Sequence, residues 1–283
     1  MIIMDLSQVM ISNLMVQLGN HTNAELEEDL LRHMILNSIR AYNVKFKAQF
    51  GEMIIAADAG HNWRRQVFPY YKANRRKNRE KSEINWTVVF ETLNKVREEL
   101  KEHFPYRVIH VDGAEADDII GTIVQEYGDT NEQILILSGD KDFVQLQRYM
   151  NVQQFDPVQK KWRKTNDPDR FIKEHIMRGD TGDGVPNFLS ADDTFVVGSR
   201  QKPISQKKLD LWLDQDPQVF CDEKMLRGYL RNQQLVDLNF IPADIKKEVL
   251  AQFEEQKGKG RDKLFNYFIE RRLKILLESI NEF

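Results

Sequence analysis

Apolar positions in the first half of the chain form short continuous runs. Residues 2–4, 53–57, 108–111 and 134–137 are four such runs, and residues 152–155 are a candidate fifth. Short apolar runs are typical of strands that are buried on both faces of a parallel sheet. Each run therefore predicts a short strand.

Helical periodicity occupies the intervals between these runs. Apolar residues recur three or four positions apart over residues 31–46, 88–100 and 119–124, and Gly51 and Gly128 are suitable helix ends. Alternation of strands and helices favours a mostly parallel sheet with helices on both faces. The predicted fold class is α/β, with a central, mostly parallel sheet flanked by helices.

The pattern changes near residue 179. A glycine-rich segment at residues 179–184 leads into a polar stretch at residues 199–208, and the remaining sequence has helical spacing with no strong strand signal. We therefore place a domain boundary near residue 178. It separates an α/β core at residues 1–178 from a smaller helical domain at residues 179–283.

Carboxylates follow three of the predicted strands. Asp5 follows the first strand, Asp58 the second, and Asp140 and Asp142 the strand at residues 134–137. The carboxyl ends of parallel strands share one edge of a sheet, where ligands bind. A single Asp after a strand is usually a turn or helix-cap residue. Three such strands make independent turn roles less attractive, so we expect a shared acidic site.

Two further acidic groups lie outside those strand ends. Glu115, Asp117 and Asp118 fall in the first turn of the predicted helix, where the helix dipole favours acidic side chains by about 0.3–1 kcal/mol each. The helix dipole accounts for one or two acidic residues in this turn more readily than for all three. Asp180 and Asp183 lie in the glycine-rich segment and are equally typical of a tight turn.

A bound cation is the simplest way to hold so many carboxylates together. Two bare carboxylates about 4 Å apart repel by about 4 kcal/mol at an effective dielectric constant of about 20. Oxygen ligands without His or Cys suit Mg²⁺ or Mn²⁺. The spacing does not fit the calcium-binding loop of an EF-hand. Four His residues, His33, His103, His110 and His175, are scattered and are interpreted as structural.

A basic and aromatic segment follows Asp58 directly. Residues 61–79 contain seven Lys or Arg residues and no acid, with Trp, Phe and Tyr interleaved. Bases stack on such rings, and Lys and Arg bind phosphates. The alternative is a solvated basic face over buried aromatic residues. The adjacent acidic cluster makes a nucleic-acid-binding segment the better interpretation.

Composition narrows the class of protein. The chain has 283 residues, a formal net charge of −3 and 41% apolar residues. No apolar run approaches the roughly 20 residues of a membrane span, and the N-terminus does not resemble a secretory signal. Cys221 is the single cysteine, so an internal disulfide is excluded. The expectation is a soluble intracellular protein without a membrane partner.

No phosphate-binding P-loop motif occurs, which argues against a nucleotide triphosphatase.

The order of these motifs resembles the 5′ nuclease (flap endonuclease) superfamily. The resemblance covers nearly the whole chain, and residues 279–283 also resemble phage members of the family. The matching residues are Asp5 and Asp58 at strand ends, Trp63-Arg64-Arg65 followed by Tyr70-Tyr71-Lys72-Ala73-Asn74-Arg75, Glu115-Ala116-Asp117-Asp118, Gly139-Asp140-Lys141-Asp142-Phe143, and Gly179-Asp180-Thr181-Gly182-Asp183.

The resemblance implies a two-metal phosphodiester hydrolase with a PIN-like core. Asp5, Asp58 and Asp117 resemble the ligands of one Mg²⁺, with Glu115 acting directly or through water. Asp140, Asp142 and Asp183 resemble those of a second Mg²⁺, with Asp117 as a candidate shared ligand; Mn²⁺ is a candidate substitute. Asp118 and Asp180 match acidic positions that act through bound water. Lys72 and Arg75 match residues that contact the scissile phosphate. The resemblance therefore implies four catalytic residues: these two and the metal ligands Asp117 and Asp140.

The resemblance also implies a nucleic-acid surface. It assigns a basic arch at about residues 61–82, with Tyr71 as a candidate for stacking on the terminal base. A modified helix–three-turn–helix motif would contact duplex DNA, and its departure after Gly184 puts the monovalent-ion site of that motif in doubt. The expected nucleic-acid contacts are Arg64, Arg65, Tyr71, Lys72, Arg75, Arg76, Lys77, Arg79, Arg200, Lys202, Lys207 and Lys208.

The implied activity is 5′-to-3′ exonuclease and flap endonuclease cleavage of RNA–DNA hybrids, duplex DNA and 5′ flaps, for primer removal during phage replication. The chain is expected to be a monomer in the cytoplasm of the infected host cell. A single-stranded-DNA-binding protein and a sliding clamp are candidate partners, and residues 280–283 are either a docking tail or the end of a helix. Two alternatives remain at this stage: a PIN-like Mg²⁺-dependent ribonuclease, and a non-catalytic DNA-binding protein with structural acids.

Overall fold

The structure is a computed structural model of the chain and describes residues 1–18, 27–82 and 84–283. Its elements in the sheet-forming part are β1 (Ile2–Asp5), α1 (Leu6–Leu18), α2 (Glu28–Phe50), β2 (Met53–Ala56), α3 (Arg64–Val67), α4 (Ala73–Glu80), α5 (Trp86–His103), β3 (Arg107–Ile109), α6 (Ala116–Tyr127), β4 (Ile134–Leu137), a 3₁₀ helix (Lys141–Arg148), β5 (Val152–Asp156), β6 (Lys161–Arg163) and α7 (Pro168–Arg178). The later elements are α8 (Gln206–Leu213), α9 (Pro217–Phe220), α10 (Glu223–Val236), a 3₁₀ helix (Leu238–Phe240), α11 (Ala243–Glu255), α12 (Leu264–Glu270), α13 (Lys274–Glu278) and a 3₁₀ helix (Ile280–Glu282).

The described strands form one sheet in the order β3-β2-β1-β4-β5-β6. The first four pairings are parallel and the last, between β5 and β6, is antiparallel. The predicted α/β class and mostly parallel sheet are confirmed. The sequence pattern missed β6, because Lys161–Arg163 is short, polar and at the sheet edge.

Alternate residues of each strand enter two separate cores. Ile2 and Met4 of β1 pack beneath α2 and α5, whereas Ile3 packs on the opposite face beneath α6 and α11. Successive side chains in a strand point to opposite faces, so both must be apolar when helices cover both sides. This explains why the strands are continuous apolar runs.

The helices after residue 178 do not pack as one unit. Apolar residues of α7, α8 and α10 form a cluster of their own, which also takes up Phe68 and Tyr71. The helix α11 packs on one sheet face, and α12 and α13 pack on the other. The helical character of the C-terminal part is confirmed, while the boundary at residue 178 stays a prediction. None of the described helices has the length and apolarity needed to cross a membrane.

The last residues pack into the core beneath the sheet. Phe283 is 1% exposed and lies edge-on to Phe104, with their ring centroids 5.6 Å apart. Asn43 Nδ2 donates to the backbone carbonyl of Glu282 at 2.7 Å. Of the two roles considered for residues 280–283, the structure supports the end of a packed helix.

The burial of Phe283 gives a stability prediction. Phe283→Ala should lower the free energy of unfolding by about 3–5 kcal/mol, because it removes a large buried side chain and leaves a cavity. Phe265→Ala, at a position that is 55% exposed, is the matched control and should have a much smaller effect. Urea denaturation of both variants measures the difference, and equal effects would contradict the packed position of Phe283.

Candidate active site

The strand order brings three predicted ligands to one edge of the sheet. Because β1 lies between β2 and β4, Asp5 is in register with Ala56, and Met4 is in register with Leu137. Asp58 and Asp140 follow those neighbouring strands closely. Together with Asp117 they line a cleft of about 590 Å³.

Short local hydrogen bonds hold these carboxylates. Asp5 accepts from the backbone N–H of Gln8 at 3.0 Å and from Ser138 Oγ at 3.2 Å. Asp58 Oδ1 accepts from the backbone N–H of Ala116 at 2.8 Å, at the start of α6. That bond ties the end of β2 to the helix whose first turn carries Asp117.

The carboxylates lining the cleft are crowded. Burial, followed by the charge of Asp58, raises the pKa of Asp5 to about 8. Burial and the charge of Asp142 raise the pKa of Asp140 to about 6, and burial with the charge of Asp140 raises the pKa of Asp117 well above its usual range. Such groups either take up protons or bind cations. Their oxygen donors fit hard divalent ions such as Mg²⁺ or Mn²⁺.

A second acidic group lies beside the first and includes His175, which was predicted from the sequence to be structural. His175 Nε2 is 2.9 Å from Asp142 Oδ1 and 3.7 Å from Asp180 Oδ2, and potential ligand atoms of these three residues lie within 4.8 Å of one another. Burial would raise the pKa of Asp142, but the hydrogen bond and charge of His175 hold it below its usual range. The position of His175 on α7, one turn before Gly179-Asp180, was the signal available in the sequence.

The glycine-rich segment forms a tight turn that directs its acids inward. Asp180 and Val185 exchange two backbone hydrogen bonds, of 2.8 and 2.7 Å. Gly179 adopts a positive φ of 68°, and a Cβ there would lie 2.5 Å from the carbonyl oxygen of Val185. Glycine is therefore required at this position. The turn places Asp183 against the basic segment.

Two basic residues enter the acidic site. Lys72 Nζ is 2.6 Å from Glu115 Oε1 and 3.5 Å from Asp183 Oδ2, and Arg75 forms an ion pair with Asp183 Oδ1. Both basic residues also line the cleft that contains Asp5 and Asp140. The arrangement provides carboxylates for divalent ions and cations for a phosphate within one cleft.

Comparison with known proteins identifies the family. The family described as 5′-3′ exonuclease, N-terminal resolvase-like domain, matches residues 10–176, and that described as T4 RNase H, C terminal, matches residues 167–283. The chain belongs to the 5′ nuclease superfamily. It is 34% identical to ribonuclease H of enterobacteria phage T4 over 99% of this chain and 95% of the relative. It is also 25% identical to DNA polymerase I of Bacillus subtilis, over 81% of this chain and 27% of that longer protein.

Solved structures of similar fold come from phage T5. The T5 5′-exonuclease with bound zinc has a TM-score of 0.63 and 19% identity, with coverage of 91% of this chain and 99% of the T5 chain. A T5 flap endonuclease in complex with DNA and metal ions has a TM-score of 0.62, 19% identity and coverage of 90% and 98%. The family match and the similarity to the phage T4 ribonuclease H, rather than these structures, show that the chain is a nuclease, which confirms the enzyme prediction.

Two predicted functional residues of the nuclease instead form a buried ion pair. Arg64 is 3% exposed, and its guanidinium contacts both Asp118 and Glu115, with Arg64 Nη2 2.8 Å from Asp118 Oδ1. Asp118 is fully buried and also accepts from Trp63 Nε1 and the backbone N–H of Glu115. The predictions of nucleic-acid contact for Arg64 and of a metal-site role for Asp118 are therefore corrected, because each group is enclosed by the other.

The prediction that Tyr71 stacks on a terminal base is also corrected. Its side chain is 3% exposed, and its hydroxyl is 2.9 Å from both Glu115 Oε2 and Asp183 Oδ2. The buried ring therefore has no open face on which a terminal base could stack. The sequence pattern could not distinguish this buried tyrosine from an exposed one.

The other predicted nucleic-acid contacts are placed as follows. Arg65, Arg75 and Arg79 are exposed on the basic segment, while the side chains of Arg76 and Lys77 lie outside the described residues. A separate exposed group lies in the stretch before α8 and in its first turn; it consists of Arg200, Lys202, Lys207 and Lys208, and Lys202 lines a groove with the glycine-rich turn. Their contacts with nucleic acid stay predictions.

The crowded carboxylates predict an unusual dependence of stability on pH. Folding raises the pKa of Asp5 and Asp140, so their contribution favours the folded state at low pH and is lost as the pH rises through about 6 and about 8. In EDTA, the melting temperature should fall between pH 5 and pH 8.5. Mg²⁺ should raise it more at pH 8.5 than at pH 5, because bound cations offset the ionised carboxylates.

Asp5→Asn is the control for that experiment and should flatten part of the slope in EDTA. Differential scanning calorimetry in paired EDTA and Mg²⁺ buffers provides the measurement. A melting temperature that rises over the same range in EDTA would contradict the assignment of these pKa values.

The buried position of Arg64 gives a second prediction. Arg64→Gln should lower the free energy of unfolding by about 3–5 kcal/mol, because it leaves the buried Asp118 carboxylate without its partner. Arg65→Gln, at the adjacent exposed position, should change stability by only about 0.5 kcal/mol. Urea denaturation distinguishes the two, and a stable Arg64→Gln protein would restore Arg64 as a candidate for nucleic-acid contact.

Proposed function

We propose that the nuclease hydrolyses phosphodiester bonds from a 5′ end and at 5′ flaps. Its substrates are RNA–DNA hybrids, duplex DNA and flap DNA, and its role is the removal of RNA primers during phage replication. The observation that carries this proposal is one cleft that combines Asp5, Asp58, Asp117 and Asp140 with Lys72 and Arg75. Sequence similarity to a phage ribonuclease H along nearly the whole chain supports it.

The proposed reaction uses two Mg²⁺ ions, with Mn²⁺ as a substitute. Asp5, Asp58, Glu115 and Asp117 hold one ion; Asp140, Asp142 and Asp183 hold the other with Asp117, and Asp180 contributes through water. When bound, such ions activate water at neutral pH and offset the charge of the attacked phosphate and its leaving oxygen. The raised pKa values of Asp5, Asp117 and Asp140 support cation binding.

Lys72 and Arg75 are proposed to contact the scissile phosphate. Both line the cleft, and Arg75 retains enough exposure to meet a ligand. Charge-assisted hydrogen bonds from these groups would stabilise the negative charge that develops during hydrolysis. The exposed Arg65 and Arg79 extend this positive surface along the basic segment.

Duplex binding is proposed for the group that includes Arg200, Lys202, Lys207 and Lys208. Asn187 Nδ2 donates to the backbone carbonyl of Lys202 at 2.7 Å, and the backbone N–H of Lys202 donates to Ser190 Oγ at 2.8 Å. These bonds hold the exposed basic stretch beside the glycine-rich turn. We further propose a monomer in the host cytoplasm, with a single-stranded-DNA-binding protein and a sliding clamp as partners at the replication fork.

Asp140→Asn provides the direct test. With Mg²⁺, the wild-type protein should cleave a 5′-labelled flap substrate near the junction and an RNA–DNA hybrid from its 5′ end. Asp140→Asn should reduce both rates by roughly a hundredfold or more, because it removes a charged metal ligand. EDTA should abolish cleavage, while gel-shift binding should persist in the variant.

Asp112→Asn is the matched control, because Asp112 lies three residues before Glu115 in the chain but its side chain is 84% exposed. That variant should cleave at close to the wild-type rate. Full activity of Asp140→Asn would contradict the proposed ligand set. Cleavage confined to single-stranded RNA would instead favour a PIN-like ribonuclease.

A further inference from the structure

Two fully buried glutamine side chains contact the loop that carries Asp140 and Asp142. Gln154 lies on β5, and Gln145 lies in the 3₁₀ helix that follows β4. A buried amide needs hydrogen-bond partners, because its N–H groups and oxygen have lost their bonds to water. The partners of these two amides therefore show which part of the fold they hold in place.

The side-chain nitrogen of Gln154 holds the residues on either side of Gly139. Its Nε2 donates to the backbone carbonyl of Ser138 at 3.0 Å and to that of Asp140 at 2.6 Å. Carbonyl oxygens only accept, so the nitrogen of the amide must face them. The N–H of Ser138 donates to the carbonyl of Phe155 at 3.2 Å, which extends the ladder between β4 and β5 to this residue. Beyond it, the Gln154 side chain takes the place of a strand partner.

The loop and the Gln154 amide are each fixed from a further side. Gln147 Nε2 donates to Gln154 Oε1 at 3.1 Å, and Gln147 Oε1 accepts from the backbone N–H of Thr165 at 3.1 Å. A Cβ at Gly139 would lie 2.9 Å from Asp156 Oδ1, so the loop backbone packs closely against the end of β5. Both contacts limit movement of the loop relative to Gln154.

Gln145 holds the second acidic residue of the loop in the same way. Its Nε2 donates to the backbone carbonyl of Asp142 at 2.7 Å and to that of Val236 at 3.0 Å. Its Oε1 accepts from the backbone N–H of Leu238 at 2.9 Å. Asp140 and Asp142 are therefore each held at the backbone carbonyl by a buried amide.

The backbone of this loop in turn positions the carboxylates. Asp140 Oδ1 accepts from the N–H of Asp142 at 3.0 Å, and the N–H of Asp140 donates to Ser138 Oγ at 3.1 Å. Ser138 Oγ is also 3.2 Å from Asp5 Oδ2, to which it donates. A displacement of the loop would thus move Asp140 and disturb the hydrogen bond to Asp5.

We propose that Gln154 and Gln145 are positioning residues of the nuclease, which place the carboxylates of Asp140 and Asp142 by holding the backbone carbonyls of the same two residues. This inference rests on the proposed role of those acids as metal ligands. Both glutamines are fully buried, so they act through the loop and do not touch substrate. Catalytic groups must be held within about 0.5 Å of their productive geometry, and a misplacement of about 1 Å can cost roughly a hundredfold in rate.

The test compares Gln154→Met with Gln153→Met. Methionine is unbranched like glutamine but lacks the amide, and Gln153 is the adjacent, partly buried residue of β5, whose side chain points to the opposite face of the sheet. On flap DNA, Gln154→Met should lower kcat by roughly ten- to a hundredfold, with KM and gel-shift affinity close to wild type. It should also raise the Mg²⁺ concentration that gives the half-maximal rate. Gln153→Met should match wild type in all four measurements.

Hydrogen–deuterium exchange, without metal or nucleic acid, provides a measurement that does not depend on catalysis. A peptide covering residues 138–142 should exchange faster in Gln154→Met than in wild type or Gln153→Met. Urea denaturation first identifies a temperature at which all three proteins are folded. A loss that only reflects unfolded protein would lower kcat but leave the Mg²⁺ concentration for half-maximal rate unchanged, and that result would count against positioning.

Gln147→Met tests the same contact from a less buried position. It removes the group that donates to Gln154 Oε1, so it should change kcat and the Mg²⁺ dependence in the same direction, by roughly two- to fivefold. If Gln154→Met does not fold, Gln147→Met decides the question, and a Mg²⁺ dependence equal to that of wild type would then overturn the inference.

Wild-type kcat and Mg²⁺ dependence in folded Gln154→Met, or equal losses in Gln153→Met, would also overturn the inference. The proposed function is judged separately, on wild type and Asp140→Asn. Cleavage of flap DNA by wild type but not by Asp140→Asn retains that function even if the glutamine variants are fully active. No cleavage by wild type in Mg²⁺ or Mn²⁺ would reject the proposed function itself.

Discussion

The mutual repulsion of carboxylates at one edge of a parallel sheet is the constraint on which the site depends. Parallel strands deliver Asp5, Asp58 and Asp140 to the same edge, and α6 adds Asp117 and Glu115. Such an arrangement costs folding free energy unless cations or protons compensate for it. Burial, followed by the charges of neighbouring carboxylates, raises the pKa of Asp5, Asp117 and Asp140, so the ionised forms of these groups are disfavoured in this half of the site.

Elsewhere, the chain supplies its own positive charges. Arg64 neutralises Asp118 within the core, whereas Lys72 and Arg75 reach Asp183 from the basic segment. Asp142 instead has a hydrogen bond with His175 Nε2 at 2.9 Å, which keeps the pKa of Asp142 below its usual range despite burial. The basic residues after Asp58 therefore have different physical roles, although they form one continuous pattern in the sequence: some stabilise the fold, and others remain near the cleft surface.

Arg64 and two buried amide side chains also join the sheet to the helices that follow it. Arg64 Nε donates to the carbonyl of Leu235 at 2.8 Å, and Gln145 Nε2 donates to that of Val236 at 3.0 Å. Buried Asn232 donates in turn to the carbonyls of Ile176 and Pro186. Buried backbone groups need such partners, so the end of α10 is held against the site by side chains from both parts of the chain. The acidic cluster and the packing of the helical part are thus physically linked.

The sequence by itself determined the sheet and most of its acidic edge. Apolar runs predicted β1 to β5 because strands covered on both faces need continuous hydrophobicity, and the acids after those runs followed from parallel topology. Local patterns could not predict the polar edge strand β6 or the helix α1, whose apolar spacing is continuous with β1.

Only the tertiary structure decided which charges are buried. Arg64 and Arg65 are adjacent and chemically identical, yet one is enclosed by Asp118 and the carbonyl of Leu235 while the other is exposed. That difference arises from contacts between residues far apart in the chain, as does the pairing of His175 with Asp142, and such contacts leave no periodic signal in the sequence.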